Sequence, residues 1–327
     1  MVEYPLTTAI DPRPPFFQRP GWASAAARLV LYLVLEAGIT FALQVVGFPM
    51  VRGRRSPYNP NWLFMEEAVA IGGVFAAAWV MSRLELRSFG QYGLALTKGW
   101  GQGMAVGAVF GLAEISAVLG ALGVLGYYHF GTLAIHGTEI LRWALLWAVF
   151  FLMVGLFEEF GFRGYLQFTL TQAVGFWPAA ICLSLLFGAV HWSNPGESLA
   201  GVAGVVLTGL FWCFTLRRTG TLWFAVGMHA AFDFGETFLY SVPDSGYLFP
   251  GHLSNATLAG PAWLCGGAAG PEASIFDFVM LVVFFFLFDR SFPAARPSET
   301  PLAAISNAEV TTNETKRRRN AASVNEI

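Results

Sequence analysis

The chain has 327 residues, of which 55% are hydrophobic and only 12% charged, with a mean hydropathy of +0.56 and a formal net charge of −2. Soluble domains carry about 25% charged residues, so the composition excludes an ordinary soluble globule, and the near-neutral charge excludes general affinity for nucleic acid. The 31 Phe and 11 Trp fit a polytopic membrane protein, and three cysteines, an odd count, give no disulfide framework.

In chain order, residues 1–22 hold five prolines and several charges and read as a flexible leader. Eight apolar runs follow that approach the roughly 20 residues a bilayer requires. They lie at about 23–48, 62–81, 103–127, 140–172, 177–192, 199–216, 222–240 and 275–288. The first is too long for the apolar region of a cleaved signal peptide. The third is rich in Gly and Ala, which suits close helix packing in lipid. The fourth continues, on its pattern, past two adjacent carboxylates to Gln172. A long Gly- and Pro-rich connection at about 241–273 is either a flap or a plain connector. Residues 291–327 are polar and include Lys316-Arg317-Arg318-Arg319, so they read as a disordered basic tail.

The expected fold is therefore all-α: a membrane helix bundle of about eight spans over residues 23–290, embedded in the lipid bilayer. Lys and Arg near span ends set orientation. With the N-terminus inside, three of the four outer loops hold neither residue and the basic tail falls inside. Both termini are therefore expected on the cytoplasmic side.

Polar residues within the runs are where chemistry can lie, because a charge at membrane depth costs about 2.5–3.5 kcal/mol on insertion scales. The second run carries Glu66 and Glu67, the third Glu114, the fourth Glu158, Glu159 and Arg163, the fifth His191, and the seventh His229, Asp233 and Glu236. Glu159 and Arg163 are four residues apart on one helix face and pair; Glu158 lies about 100° round and stays free. His229 and Asp233 repeat the four-residue spacing. A lone histidine in an apolar run is commonly a packing residue, and Glu66-Glu67 near a span end is expected at the membrane interface. Counting from the inner span ends at about 1.5 Å per residue, Glu158, His191, His229 and Asp233 stand at heights of roughly 21, 21, 11 and 17 Å. A site demands such a common layer; scattered interfacial residues do not. Glu114 requires a partner or a cavity that the pattern does not name, and Glu236 is either a support for Asp233 or a charge at the outer end.

Glu158-Glu159-x-x-x-Arg163, Phe187-x-x-x-His191 and His229-x-x-x-Asp233, in this order on successive spans, resemble the CPBP intramembrane protease family. That family includes the eukaryotic type II CAAX prenyl endopeptidases and bacterial Abi-type proteins. Phe162-Arg163-Gly164-Tyr165-Leu166 and Leu186-Phe187-Gly188-Ala189-Val190-His191 are also similar to family members, and the protease-like core is expected at about 140–240. The resemblance implies an endopeptidase acting on a membrane-associated peptide or protein. It implies that Glu158 activates water with help from His191, that His229 and Asp233 stabilise the oxyanion, and that Glu159 and Arg163 support the site. Many members have Asn at the position of Asp233; an amide donates to an oxyanion, whereas an ionised carboxylate repels it. Members have been described both as metalloproteases and as metal-independent glutamate proteases. Glu158, His191, His229 and Asp233 would form a reasonable zinc set, but no His-Glu-x-x-His motif is present, and no metal is favoured. Two other functions use the same residue types: a non-enzymatic binding or immunity protein of this fold, and a proton-coupled transporter.

Overall fold

In the computed structural model, residues 21–51, 55, 56 and 58–293 are described. The expected leader over 1–22 lies outside them up to residue 20, and the expected tail over 291–327 lies outside them from residue 294. Ten α-helices account for most of the described residues: α1 (Trp22–Gly47), α2 (Pro60–Leu84), α3 (Trp100–Val124), α4 (Thr138–Arg163), α5 (Tyr165–Val174), α6 (Phe176–His191), α7 (Leu199–Thr219), α8 (Trp223–Phe234), the short α9 (Ala262–Cys265) and α10 (Ile275–Ser291). α8 runs on into a π-helical turn at Gly235–Leu239.

Local sequence explains several boundaries. Asn59 caps α2 by accepting from the Asn61 amide, with Pro60 in the first turn, and Ser198 caps α7 by accepting from the Gly201 amide. α7 ends on Arg217, Arg218 and a left-handed Gly220 at φ 73°, an arrangement suited to the carbonyl end of a helix.

Among the described residues, five stretches are long and apolar enough to cross a membrane: Trp22–Met50, Pro60–Leu84, Trp100–Val124, Thr138–Val174 and Leu199–Thr219; α6 is a shorter apolar helix. Large apolar side chains point outward along them, as Val34, Phe41 and Val45 do on α1 and Leu141, Leu145 and Val149 on α4. Only lipid covers such a surface without cost, and the protein is an integral membrane helix bundle.

The expected fourth span is not one straight helix. α4 stops at Arg163 and α5 starts at Tyr165, with Gly164 between them. A Cβ at Gly164 would fall 2.4 Å from the Phe160 carbonyl oxygen, so only glycine suits this corner. Residue counts from Gln172 therefore overstate the height of Glu158.

α3 and α8 pack most closely. A Cβ at Gly107 would lie 2.1 Å from the Phe224 carbonyl oxygen, one at Gly111 2.1 Å from that of Met228, and one at Gly227 2.0 Å from that of Met104. Gly107 and Gly111 lie one turn apart on one face of α3, the small-residue spacing that lets membrane helices touch backbone to backbone. This contact fixes α8, which carries His229 and Asp233.

A polar knot not foreseen from the sequence ties α1 to α5. Arg28, fully buried on α1, donates to Gln172 at 3.1 Å and lies 3.6 Å from Glu85, which also accepts from the Tyr165 hydroxyl. Arg28 lies within the first apolar run, and its partners on α5 and at the end of α2 are apparent only in the folded bundle.

The connection 241–273 is a folded cover. Its strand β2 (Thr257–Leu258) pairs antiparallel with β1 (Tyr128–His129), with Tyr128 opposite Leu258 and His129 opposite Thr257. The Trp147 indole of α4 donates to the Pro250 carbonyl at 3.1 Å, and Phe249 packs with Trp147, Phe150 and Phe151. The chain divides into two compact units, residues 1–285 and 286–327; in the second, the described residues continue α10, and Phe288 stacks on Phe292 at 4.5 Å.

Gly111→Leu is expected to lower the thermal unfolding midpoint in detergent strongly, since overpacking costs about 1–3 kcal/mol and the obstruction here is backbone. An unchanged midpoint would show that α3 and α8 are not in backbone contact.

Candidate active site

Glu158 and Glu159 are adjacent on α4, so their side chains leave the helix about 100° apart. Glu159 points into the bundle with no exposed surface, while the Glu158 side chain keeps 21% exposure. Glu159 Oε1 accepts from Arg163 Nη1 at 3.2 Å and from His229 Nδ1 at 3.1 Å. The pairing with Arg163 agrees with the local spacing; the bond to His229, seventy residues on, is visible only in three dimensions.

Arg163 is enclosed by aromatic faces. Its guanidinium carbon lies 4.1 Å from the centroid of the Phe187 ring and 5.3 Å from that of Trp212. Gly209 on α7 leaves room for it, since a Cβ there would lie 2.4 Å from Nη2. Trp212 also stacks on the His229 imidazole, with centroids 4.5 Å apart and planes 19° apart. A stack running Phe187, Arg163, Trp212, His229 thus links α6, α4, α7 and α8. Trp212 had no polar signature in the sequence.

With Nδ1 of His229 donating to Glu159, its Nε2 faces Asp233 Oδ2 at 3.3 Å and Glu158 Oε2 at 3.7 Å. His191 is held similarly: its Nδ1 donates to the Phe187 carbonyl at 2.8 Å, and its Nε2 lies 3.8 Å from the same Glu158 oxygen. Both separations from Glu158 exceed a direct hydrogen bond. A water between them is within reach of the carboxylate and both imidazoles. Glu158, His191, His229 and Asp233, three spans apart in sequence, form one cluster, with Glu159 and Arg163 behind it.

Zinc asks for more than these contacts give. Tetrahedral zinc with bonds of about 2.0–2.1 Å holds all its ligand atoms about 3.3 Å apart, whereas no three of Glu158, His191, His229 and Asp233 bring their donor atoms within 4.8 Å of one another. Each histidine has its Nδ1 engaged by an acceptor, as metal-bound imidazoles do.

The cluster forms one wall of a cavity of about 360 Å³, within the range of small ligand sites. Seven carboxylates line it: Glu67, Glu114, Glu158, Asp233, Asp244, Glu272 and Asp277. Phe150, Phe151, Phe187, Trp212, Tyr247 and Phe249 form its aromatic side. Glu67 corrects the interfacial expectation for Glu66-Glu67. Glu66 pairs with Arg55 at 2.9 Å near the surface, whereas Glu67 faces the cavity. Glu114 meets the same cavity, which supplies the enclosure its position demanded. Asp244 and Glu272 come from the cover; burial pushes the Asp244 carboxyl up to about 7, against a lowering by the Thr237 hydroxyl, and raises that of Glu272 well above the usual carboxylate range.

Residues 140–235 match the Rce1-like family model, type II CAAX prenyl endopeptidase Rce1-like. No curated protein matches the chain. The Rce1-like segment runs from α4 to the start of the π turn and contains Glu158, Glu159, Arg163, His191, His229 and Asp233. The match covers less than half of the chain, and the family takes its name from CAAX prenyl endopeptidases. Glu67, Glu114, Asp244, Glu272 and Asp277 reach the cavity from outside the Rce1-like segment.

Removing one partner of a buried ion pair strands the other, at a cost of about 3–5 kcal/mol. Glu159→Ala is therefore expected to unfold well below wild type in a detergent thermal melt, while Glu158→Ala unfolds near it. Equal midpoints for the two variants would refute the division of roles between the adjacent carboxylates.

Proposed function

We propose that the protein is an intramembrane endopeptidase in which Glu158 activates the water that attacks a peptide carbonyl. The observation that carries this reading is the approach of His191 Nε2 and His229 Nε2 to one oxygen of Glu158, at 3.8 and 3.7 Å, on the wall of an enclosed cavity within the Rce1-like segment. Glu158 takes the water proton as general base. His191, whose Nδ1–H is engaged by the Phe187 carbonyl, presents Nε2 as an acceptor and orients the same water. The hydroxide adds to the carbonyl carbon, and the oxyanion forms near His229. Because Glu159 holds the Nδ1–H, His229 donates from Nε2 only as the imidazolium. Asp233, 3.3 Å from that nitrogen, must carry a proton or be matched by a cation when the oxyanion forms. Glu158 then returns its proton to the leaving amine. Glu159 and Arg163 hold His229 in place.

The reading routes no step through a metal, because Glu158 as a zinc ligand would no longer be the free base that the reaction needs. The cavity suits a membrane-associated peptide, with aromatic walls for apolar side chains. The Lys and Arg distribution supports a cytoplasmic position for both termini, with the cover at 241–273 on the opposite face.

Purified protein is expected to cleave a membrane-tethered peptide library. Glu158→Ala and His229→Ala should each lower the rate by about 100-fold or more, whereas Asp233→Asn should retain activity because its amide donates to the oxyanion. Full activity in Glu158→Ala would end the proposal. Phenanthroline, which strips zinc, should leave cleavage intact. For topology, a reporter at residue 327 that fluoresces only in the cytoplasm should light up; a dark but full-length fusion would reverse the orientation.

A further inference from the structure

We propose that Asp233, Glu236 and Asp244 form a binding site for a hard divalent cation of the calcium, magnesium or manganese class, adjacent to the Glu158–His191 pair and separate from it. One carboxylate oxygen from each of the three lies within 4.8 Å of the others. Glu236 has no exposed surface, and neither of its carboxylate oxygens has a hydrogen-bond partner among the described residues. An ionised group so placed is costly to bury unless a positive charge meets it. Among the described residues lining the adjoining cavity none is Lys or Arg, and five further carboxylates, Glu67, Glu114, Glu158, Glu272 and Asp277, face it. The nearby cationic candidate is His229, already flanked by Glu158, Glu159 and Asp233.

The arrangement resembles a ligand set more than a chance crowd of acids. Asp233 sits in the last turn of α8, Glu236 in the π turn that follows, and Asp244 in the cover. π turns in helices are frequent at functional sites. Asp244 Oδ2 accepts from the Thr237 hydroxyl at 3.0 Å, so its carboxylate is oriented from behind, as supporting bonds orient metal ligands. All three donors are carboxylate oxygens, which select calcium, magnesium or manganese over zinc. Asp233 belongs both to this set and to the His229 pair. In the reaction proposed above, and resting on that reading, a cation here would offset the negative charge that an aspartate otherwise presents to the oxyanion. Binding itself does not depend on the protein being a protease.

The test is a manganese titration of the purified, detergent-solubilised full chain, followed by electron paramagnetic resonance and by thermal melting. One saturable manganese per chain is expected, displaced by calcium or magnesium and raising the melting midpoint. Glu236→Gln and Asp244→Asn should each weaken binding about tenfold or more, the loss of one good ligand contact, while Glu158→Gln binds as wild type does. Absence of saturable binding in the wild-type protein would overturn the proposal, whatever the variants do. So would binding that persists undiminished in both Glu236→Gln and Asp244→Asn, or a zinc preference abolished by His191→Ala, which would put the ion at the histidines.

Discussion

The site depends on one buried carboxylate. Glu159 has no solvent, so its charge must be met by donors inside the bundle, and the donors it finds are Arg163 on its own helix and His229 on α8. That requirement joins α4 to α8 and sets the His229 ring with Nδ1 inward and Nε2 toward the cavity. Trp212 and Phe187 complete the arrangement by covering the guanidinium and the imidazole with aromatic faces. Freed of any structural bond, Glu158 is left facing two imidazole nitrogens.

A second constraint is steric. α8 can bring His229 and Asp233 to α4 only because α3, behind it, yields its side chains. Gly107 and Gly111 allow the backbones of α3 and α8 to touch, and Gly155 on α4 comes within a would-be Cβ distance of 3.0 Å of the Val226 carbonyl oxygen. In lipid, where apolar burial between helices gains little, such contact supplies packing that larger side chains would forbid. α3 lies outside the Rce1-like segment, yet the position of two residues of the segment's cluster rests on it.

The cavity extends the chemistry beyond that segment. One side is aromatic and the other carries carboxylates from α2, α3, α8, α10 and the cover. A water-filled or cation-bearing pocket tolerates this density of acids; a dry apolar one does not. The strand pair β1–β2 and the Trp147–Pro250 bond hold the cover against α4, so residues 241–273 close the pocket and contribute Asp244, Tyr247, Phe249 and Glu272 to it.

By itself the sequence determined the membrane character, the order of the helical runs, the close-packing third helix, the Glu159–Arg163 pair and the short list from which the cluster is drawn. These follow from composition, from helical periodicity and from pairs four residues apart, all of which are local. Only the tertiary structure decided which polar residues meet. The height estimate set His229 about 10 Å below Glu158, whereas they stand 3.7 Å apart. The corner at Gly164 breaks the residue count in one helix, and no local rule relates the levels of separate helices. Glu67 looked interfacial because a position near a span end says nothing of which face a side chain takes. Asp244 and Glu272 were invisible because a loop's destination is set by the contacts that capture it. Likewise, Glu236 could be recognised as a charge within a span, but its lack of a hydrogen-bond partner among the described residues is a property of the packed bundle, not of the local sequence.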